Sequence, residues 1–358
     1  MPDGAPHGWR RQLRLDPIPA LLACGDEALL YWVKRDLLCV QAGPVDRLWR
    51  LPEALRILRK QQPDGSWIFP GNQQQRDKDR CLVETWKQLR FLVEKYGFRR
   101  EHPCLAAAAE FAFSCQTDQG DFRGFIANQY ATYYTGALMS LLNQAGYEDD
   151  PRIEKGFRWL LSMRQHDMGW TIPILTHRLD WQTVLRLTGR PADPLEPDRS
   201  MPFSHNWTGM VLRAFATHRT YRETEEARIA ASLLKSRFFQ PDSYTSYHAA
   251  GYWVSFQYPF WWNNLVAALD SILRIDPAID EPVERALGWF SEHQREDGLW
   301  DTTYVAGKQA GSAKAREMRP WVSLAICRVF CRIADRHGPA PFDSPANRPH
   351  NGGSGVSS

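Results

Sequence analysis

Residues 61–67 read QQPDGSW, and nearly the same phrase stands at 116–122 (QTDQGDF) and 294–300 (QREDGLW). Each is a Gln, three residues, a Gly, one residue and an aromatic ring, and each follows a stretch with apolar residues at helical spacing. A fourth copy, Arg164 to Trp170 (RQHDMGW), keeps the ring but puts Met168 in the Gly slot and shifts the Gln by one. A fifth, Arg237 to Tyr244 (RFFQPDSY), is a remnant. A Gly just past a helix end supplies the left-handed backbone that closes the helix. A Gln beside it can bond backbone groups of a neighbouring helix end while the ring covers the junction. The phrase therefore reads as a clasp between consecutive helical hairpins, and the 358 residues as one repeat array rather than two domains.

Working outward from the clasps, apolar spacing and Gly or Pro punctuation predict helices near 26–41, 50–62, 80–96, 103–115, 128–146, 150–164, 178–189, 204–219, 222–239, 259–274, 281–295 and 319–337, with no strand. Residues 1–18 read as an N-terminal arm, 19–338 as the repeat domain and 339–358 as a disordered tail. A formal charge of +3 gives no nucleic-acid footprint. Seven scattered Cys without metal-ligand pairs suit a reducing cytoplasm rather than a disulfide framework. There is no signal-peptide core and no apolar run long enough to span a bilayer, so a cytoplasmic, at most membrane-peripheral protein is expected. GxSxG, a Gly-rich phosphate loop and HExxH are all missing from the sequence, and no cofactor is expected.

On these clasps the chain resembles the QW-repeat squalene-hopene and oxidosqualene cyclases, which share the feature in weaker form with protein prenyltransferase β-subunits. The resemblance spans roughly residues 20–337. It implies an all-α fold, an α/α toroid of about six inner and six outer helices, with the helices at 80–96, 128–146, 204–219, 259–274 and 319–337 on the inside. Full-length triterpene cyclases carry two such domains, and this chain has room for one.

The resemblance also implies chemistry. Cyclases of this kind begin by protonating an alkene or epoxide with the middle Asp of a DxDD motif that opens an inner helix. Here Asp77, Lys78, Asp79 and Arg80 stand at the matching place, a departure from the motif. An Asp of ordinary pKa, about 3.9, must be raised past neutrality to hold its proton there, and the flanking cations oppose that. Asp79 is thus either the proton donor or an N-cap within a solvated charge run. The Asp79-x-Cys81 spacing also matches two zinc ligands of protein prenyltransferases, with His205 as the third by the same resemblance. Other candidate acids are Glu84, Asp270 in an otherwise apolar helix, and Asp180 between the fourth clasp and the next inner helix. A carboxylate in an apolar helix is either functional or paired with Arg. Asp149 and Asp150 suit the N-terminus of an outer helix, so metal-dependent ionisation of a diphosphate is not expected.

Fifteen Trp are more than the clasps use. Trp86, Tyr130, Tyr133, Tyr134, Trp207, Tyr252, Trp261, Trp262 and Trp321 fall at inner-helix starts or within them, as does His205. These side chains are expected to line a cavity for an apolar, isoprenoid-type ligand, where rings stabilise a carbocation by roughly 0.5–2 kcal/mol each; core packing is the other reading. The expectation is a terpene-cyclase-like enzyme working by acid-initiated carbocation chemistry. The alternatives are a non-catalytic isoprenoid or lipid carrier on the same toroid and a zinc-dependent transferase. An α/α barrel can also present two carboxylates to a glycosidic bond. Oligomeric state and peripheral membrane contact stay open.

Overall fold

The computed structural model describes residues 8–68, 78–189, 192–244, 248–302 and 312–334; the side chains of residues 78–80 fall outside the description. Its helices are α1 (Ile18–Leu22), α2 (Glu27–Trp32), α3 (Pro52–Leu58), α4 (Lys78–Arg90), α5 (Pro103–Ser114), α6 (Thr132–Leu142), α7 (Pro151–Ser162), α8 (Trp181–Gly189), α9 (His205–Ala216), α10 (Glu225–Lys235), α11 (Leu265–Ile275), α12 (Glu281–Glu292) and α13 (Ala313–Ala334). The expected tail, 339–358, lies outside the described residues.

Burial separates two classes of helix. All of α6 is buried, and only Arg213 on α9 and only Asp270 and Arg274 on α11 are not. By contrast α12 buries one stripe, Val283, Ala286, Leu287 and Phe290, as a helix covered on one side does. The inner helices α4, α6, α9, α11, α13 and α2 follow one another around an axis, and Trp32 closes the circle by donating from Nε1 to the Lys95 carbonyl at 2.6 Å. The fold is an all-α, α/α toroid. One expectation is corrected: Phe125–Asn128 is a short strand ahead of α6.

The clasps work as their residue types suggest. Gln61 donates to the carbonyls of Gly65 (2.9 Å) and Cys104 (2.7 Å), the latter in the first turn of the next outer helix. Gln116 does the same with Gly120 and Arg152, both at 2.8 Å. The indoles of Trp67, Trp170 and Trp300 each donate to the carbonyl ten residues back, at Ile57, Leu160 and Phe290. Gly65 has φ +86, and a Cβ there would lie 2.2 Å from the Ala107 carbonyl oxygen. In the fourth clasp Met168 takes the same backbone state, φ 76, and the shifted Gln165 donates instead to Asp198 and Met201 in the inserted segment before α9. In the fifth, Trp253 rather than Tyr244 is the covering ring, donating to the Gln240 carbonyl.

A second repeat accompanies the first. The backbone N–H of each clasp ring donates to a buried hydroxyl on the following inner helix: Trp67 to Thr85, Phe122 to Thr135, Trp170 to Thr208 and Trp300 to Ser323. These bonds fasten the outer layer to the inner one. The expected arm is also part of the ring: Trp9 is buried beside α13, and Leu15 is held by the last clasp.

Two predicted helices begin elsewhere. The one expected from 259 starts at Leu265, capped by the Asn264 side chain on Ala267 N–H, because the main-chain carbonyls of 259–262 serve a different partner. The one expected from 319 starts at Ala313 and runs through Pro320.

Candidate functional site

The carbonyls of the aromatic run Tyr258–Trp262 point at two arginines of the inner ring. Arg90 of α4 donates to Pro259 (3.1 Å) and Phe260 (2.9 Å), and Arg213 of α9 donates to Trp262 at 2.6 Å. The run is therefore an extended strap between inner helices rather than a helical first turn. Its rings meet those of α4, α6 and α9. Trp86 stands edge-on to Tyr134 (4.9 Å) and Trp261 (5.0 Å); Tyr133 packs on Tyr134 (4.2 Å) and Trp207 (4.5 Å); Trp207 reaches Trp262 (5.6 Å). Arg90 lies over both Trp86 (4.6 Å) and Trp261 (4.7 Å), joining the ring cluster to the layer below.

Six of the expected ring residues, Trp86, Tyr133, Tyr134, Trp207, Trp261 and Trp262, thus come together, and they fill the space by packing on one another. Of the others, Tyr252 lines a small crevice together with Trp262, and the rest are placed apart. Tyr130 donates to Glu196 at 3.1 Å and lies under Arg123. Trp321 stacks on Tyr258 (5.4 Å) and donates to Asp26, the N-cap of α2. His205 stacks on Trp253, with Nδ1 3.5 Å from Asp242. Burial holds that imidazole neutral, near pKa 4. Among the described residues no group of three His, Cys, Asp or Glu side chains is placed to hold a metal; the side chain of Asp79 lies outside the description, while Cys81 is buried in α4.

The acids fare as follows. Asp77 and the Asp79 side chain lie outside the described residues. Glu84 is buried but engaged on its own helix, accepting from Gln88 at 2.6 Å and Lys87 at 3.2 Å. Asp180 caps α8, accepting from Thr183 N–H (2.9 Å) and its hydroxyl (2.7 Å), and is exposed. Those bonds lower its pKa, the wrong direction for a proton donor. Asp270 accepts from Arg274 (3.0 Å) and Arg332 (2.9 Å). Burial works against its charge, but the two guanidiniums prevail and hold it far below the usual carboxylate range. The two expected donors Asp180 and Asp270 are therefore ionised groups, one a cap and one an ion-pair hub. Asp150 caps α7 as expected, accepting from Arg152 N–H.

Glu94 was missed by the sequence reading. It lies in the wide π-type turn Phe91–Lys95 that ends α4, with Oε2 shielded from solvent and unpartnered among the described residues. Burial raises its pKa from 4.5 to about 7, against the pull of Arg213 and Arg90; nearby Asp270 adds to the rise. Desolvation outweighs the two arginines, whose terminal nitrogens donate to the strap carbonyls. A signal did exist. The turn that ends α2, Val33–Leu37, carries Asp36 in the same fourth position, and both acids answer to Arg328 of α13. Tyr258 completes the layer, its buried phenol donating to the Glu94 carbonyl at 3.1 Å.

The toroid axis is thus layered. Rings crowd the N-terminal ends of the inner helices, Arg90 and Arg213 hold the strap beneath them, and Glu94, Asp270, Arg274, Arg328 and Arg332 gather at the C-terminal ends. Cations there complement the partial negative charge of helix C-termini.

No family model and no curated protein matches the chain. Among solved structures it is similar to a protein from Actinoplanes (17% identity, 86% of this chain and 89% of the other, TM-score 0.41). It is also similar to a single-residue variant of the type II terpene cyclase MstE from Scytonema (14%, 87% of each chain, 0.39). A third is the polysaccharide lyase BACCELL_00875 (12%, 87% and 90%, 0.41). Similarity at this level carries no weight on substrate or chemistry.

Proposed function

We propose that the protein is a terpene-cyclase-like enzyme that takes an isoprenoid among the rings at the N-terminal ends of the inner helices and transforms it by acid-initiated carbocation chemistry, with Glu94 as proton donor. One observation carries this reading: a half-buried carboxyl with its Oε2 shielded from solvent and a pKa of about 7 stands one turn below Arg90, which itself touches the ring cluster.

The step balances simply. The protonated Glu94 carboxyl gives its proton to one carbon of an alkene, the π pair forms the new C–H bond, and the neighbouring carbon becomes cationic. The carboxylate left behind is stabilised by Arg90 and Arg213, and the cation by rings of the cluster that Arg90 does not cover, such as Trp207 and Trp262. Loss of a proton from the rearranged cation back to Glu94 restores the acid, so the net reaction is an isomerisation. Asp79, at the place the family resemblance marks, is the competing donor.

The test is incubation of the full chain with C10 to C30 isoprenoid hydrocarbons, alcohols and diphosphates, with product analysis by mass spectrometry. Product that disappears in Glu94→Gln but persists in Asp79→Asn supports the reading; persistence in Glu94→Gln overturns it. The other reading is a carrier that binds an isoprenoid without converting it, which predicts intact ligand recovered in stoichiometric amount.

A further inference from the structure

Asp270 of α11 accepts from Arg274 with one oxygen (3.0 Å) and from Arg332 of α13 with the other (2.9 Å), so one carboxylate holds two guanidiniums side by side. Those bonds use Nε of each arginine and, at 3.5 Å, Nη2 of Arg274. Nη1 of Arg274 and both terminal nitrogens of Arg332 have no partner among the described residues, and none of the three is closed off from water. The two side chains keep 32% and 30% of their surface exposed. Burial is nonetheless the largest influence on the charge of Asp270 and Arg274. Groups surrounded by protein and still wet stand in a concave recess, here at the C-terminal ends of the inner helices.

The recess holds more positive charge than its own acids compensate. Arg90, Arg213 and Arg328 stand near the pair, against Glu94 and Asp36. With Asp270 counted, five guanidiniums meet three carboxyls, which leaves two positive charges over even when Glu94 is ionised; the exposed Arg35 beside Asp36 adds to them. Low-dielectric walls focus such a field on whatever enters. An ammonium is repelled, a neutral ligand leaves the excess as it stands, and a carboxylate brings one charge. A phosphate group brings nearly two, with three oxygens that the planar forks of two arginines can bind in pairs. We propose that Arg274 and Arg332 form a clamp for a phosphate-type anion, with Asp270 as the residue that positions both forks. The clamp lies at the opposite ends of the inner helices from the ring cluster and does not depend on the isoprenoid reading.

The full chain is titrated calorimetrically with inorganic phosphate, inorganic diphosphate and acetate at near-neutral pH and constant ionic strength. Phosphate and diphosphate are expected to saturate one site, each about tenfold more tightly than acetate or better. Arg332→Lys keeps the charge and loses the fork, so it should weaken phosphate binding about tenfold. Asp270→Asn keeps the shape and removes one negative charge, so it should strengthen binding severalfold, a gain that a merely structural role would not produce. Circular dichroism checks that each variant is folded. Geranyl diphosphate separates the sources of the group: affinity above that of diphosphate makes it the head of a larger ligand, equal affinity a free ion, and both support the clamp. Phosphate that binds no better than acetate shows the arginines to serve the helix ends alone and overturns the proposal. Phosphate binding that Arg332→Lys leaves unchanged overturns it as well.

Discussion

Gln294 and Leu15 exchange two hydrogen bonds across nearly the whole chain: the Gln294 amide donates to the Leu15 carbonyl at 2.8 Å and accepts from its N–H at 3.0 Å. The last clasp thereby closes on the first segment, and the ring has no loose end at this seam. Gln294 also donates to Gly298 and is nearly buried, so Gln294→Ala leaves three backbone groups short of a partner. The expected loss is about 1–3 kcal/mol in urea unfolding. The half-buried Gln62, whose side chain bonds the Lys60 carbonyl two residues away, should cost under about 0.5 kcal/mol when changed to Ala. Equal losses at the two sites would remove the seam from the stability of the fold.

The hydroxyl anchors allow a sharper test. Thr208 accepts from Trp170 N–H at 2.9 Å and donates to the Trp170 carbonyl at 3.1 Å, at a fully buried site. Thr208→Val keeps the shape and deletes both bonds, so it should cost roughly 1–3 kcal/mol, while Thr208→Ser keeps the bonds and loses only a methyl, about 1 kcal/mol. Thermal melts of the two variants separate the contributions; a Val variant as stable as Ser would mean the layers are held by packing alone.

These two repeats differ in how far the chain's letters disclose them. The clasps are legible because each keeps its Gln, Gly and ring within seven residues, and the left-handed turn and the ring-covered junction leave marks in residue type. The hydroxyl anchors are not, because Thr85, Thr135, Thr208 and Ser323 follow their rings by 18, 13, 38 and 23 residues, distances set by whatever loop lies between. The strap was read as helix because Tyr258–Trp262 is an apolar run leading into α11. What decides against it are Arg90 and Arg213, which compete for its carbonyls from two other helices. Glu94 sits in VEKYG and looks like a solvated helix-end charge. Only the assembled ring of inner-helix ends, with Tyr258 bonded to its main-chain carbonyl, shields its Oε2 from water.

Glu94 should also be visible in stability against pH. Its folded pKa is raised from 4.5 to about 7, so between these values the folded chain holds a proton the unfolded chain has released. Stability from this group is therefore greatest below about pH 4.5 and falls as pH rises to about 7, by up to about 3 kcal/mol, and flattens above. Glu94→Gln carries no titrating proton and should lack that decline. Asp270 has the opposite sign and acts only in acid, below the range of an ordinary carboxylate, so the two windows do not overlap. Chemical denaturation at closely spaced pH values for wild type and Glu94→Gln reads the difference; parallel curves would show Glu94 to be an ordinary solvated acid.

The fourth clasp makes the last prediction, because it breaks the rule the other three keep. Met168 holds φ 76 where Gly65, Gly120 and Gly298 hold 86, 117 and 79. A side chain in the left-handed region costs on the order of 1 kcal/mol, and Met168→Gly relieves it at the expense of a more flexible unfolded chain. The net gain should be no more than about 1 kcal/mol. The converse change, Gly65→Met, meets the same strain and also drives a Cβ to 2.2 Å from the Ala107 carbonyl oxygen, a backbone atom that cannot step aside. It should cost more than about 3 kcal/mol or prevent folding. Urea unfolding of Met168→Gly and Gly65→Met checks the pair. A destabilised Met168→Gly would show that the Met side chain, partly buried as it is, contributes more by packing than its backbone state loses.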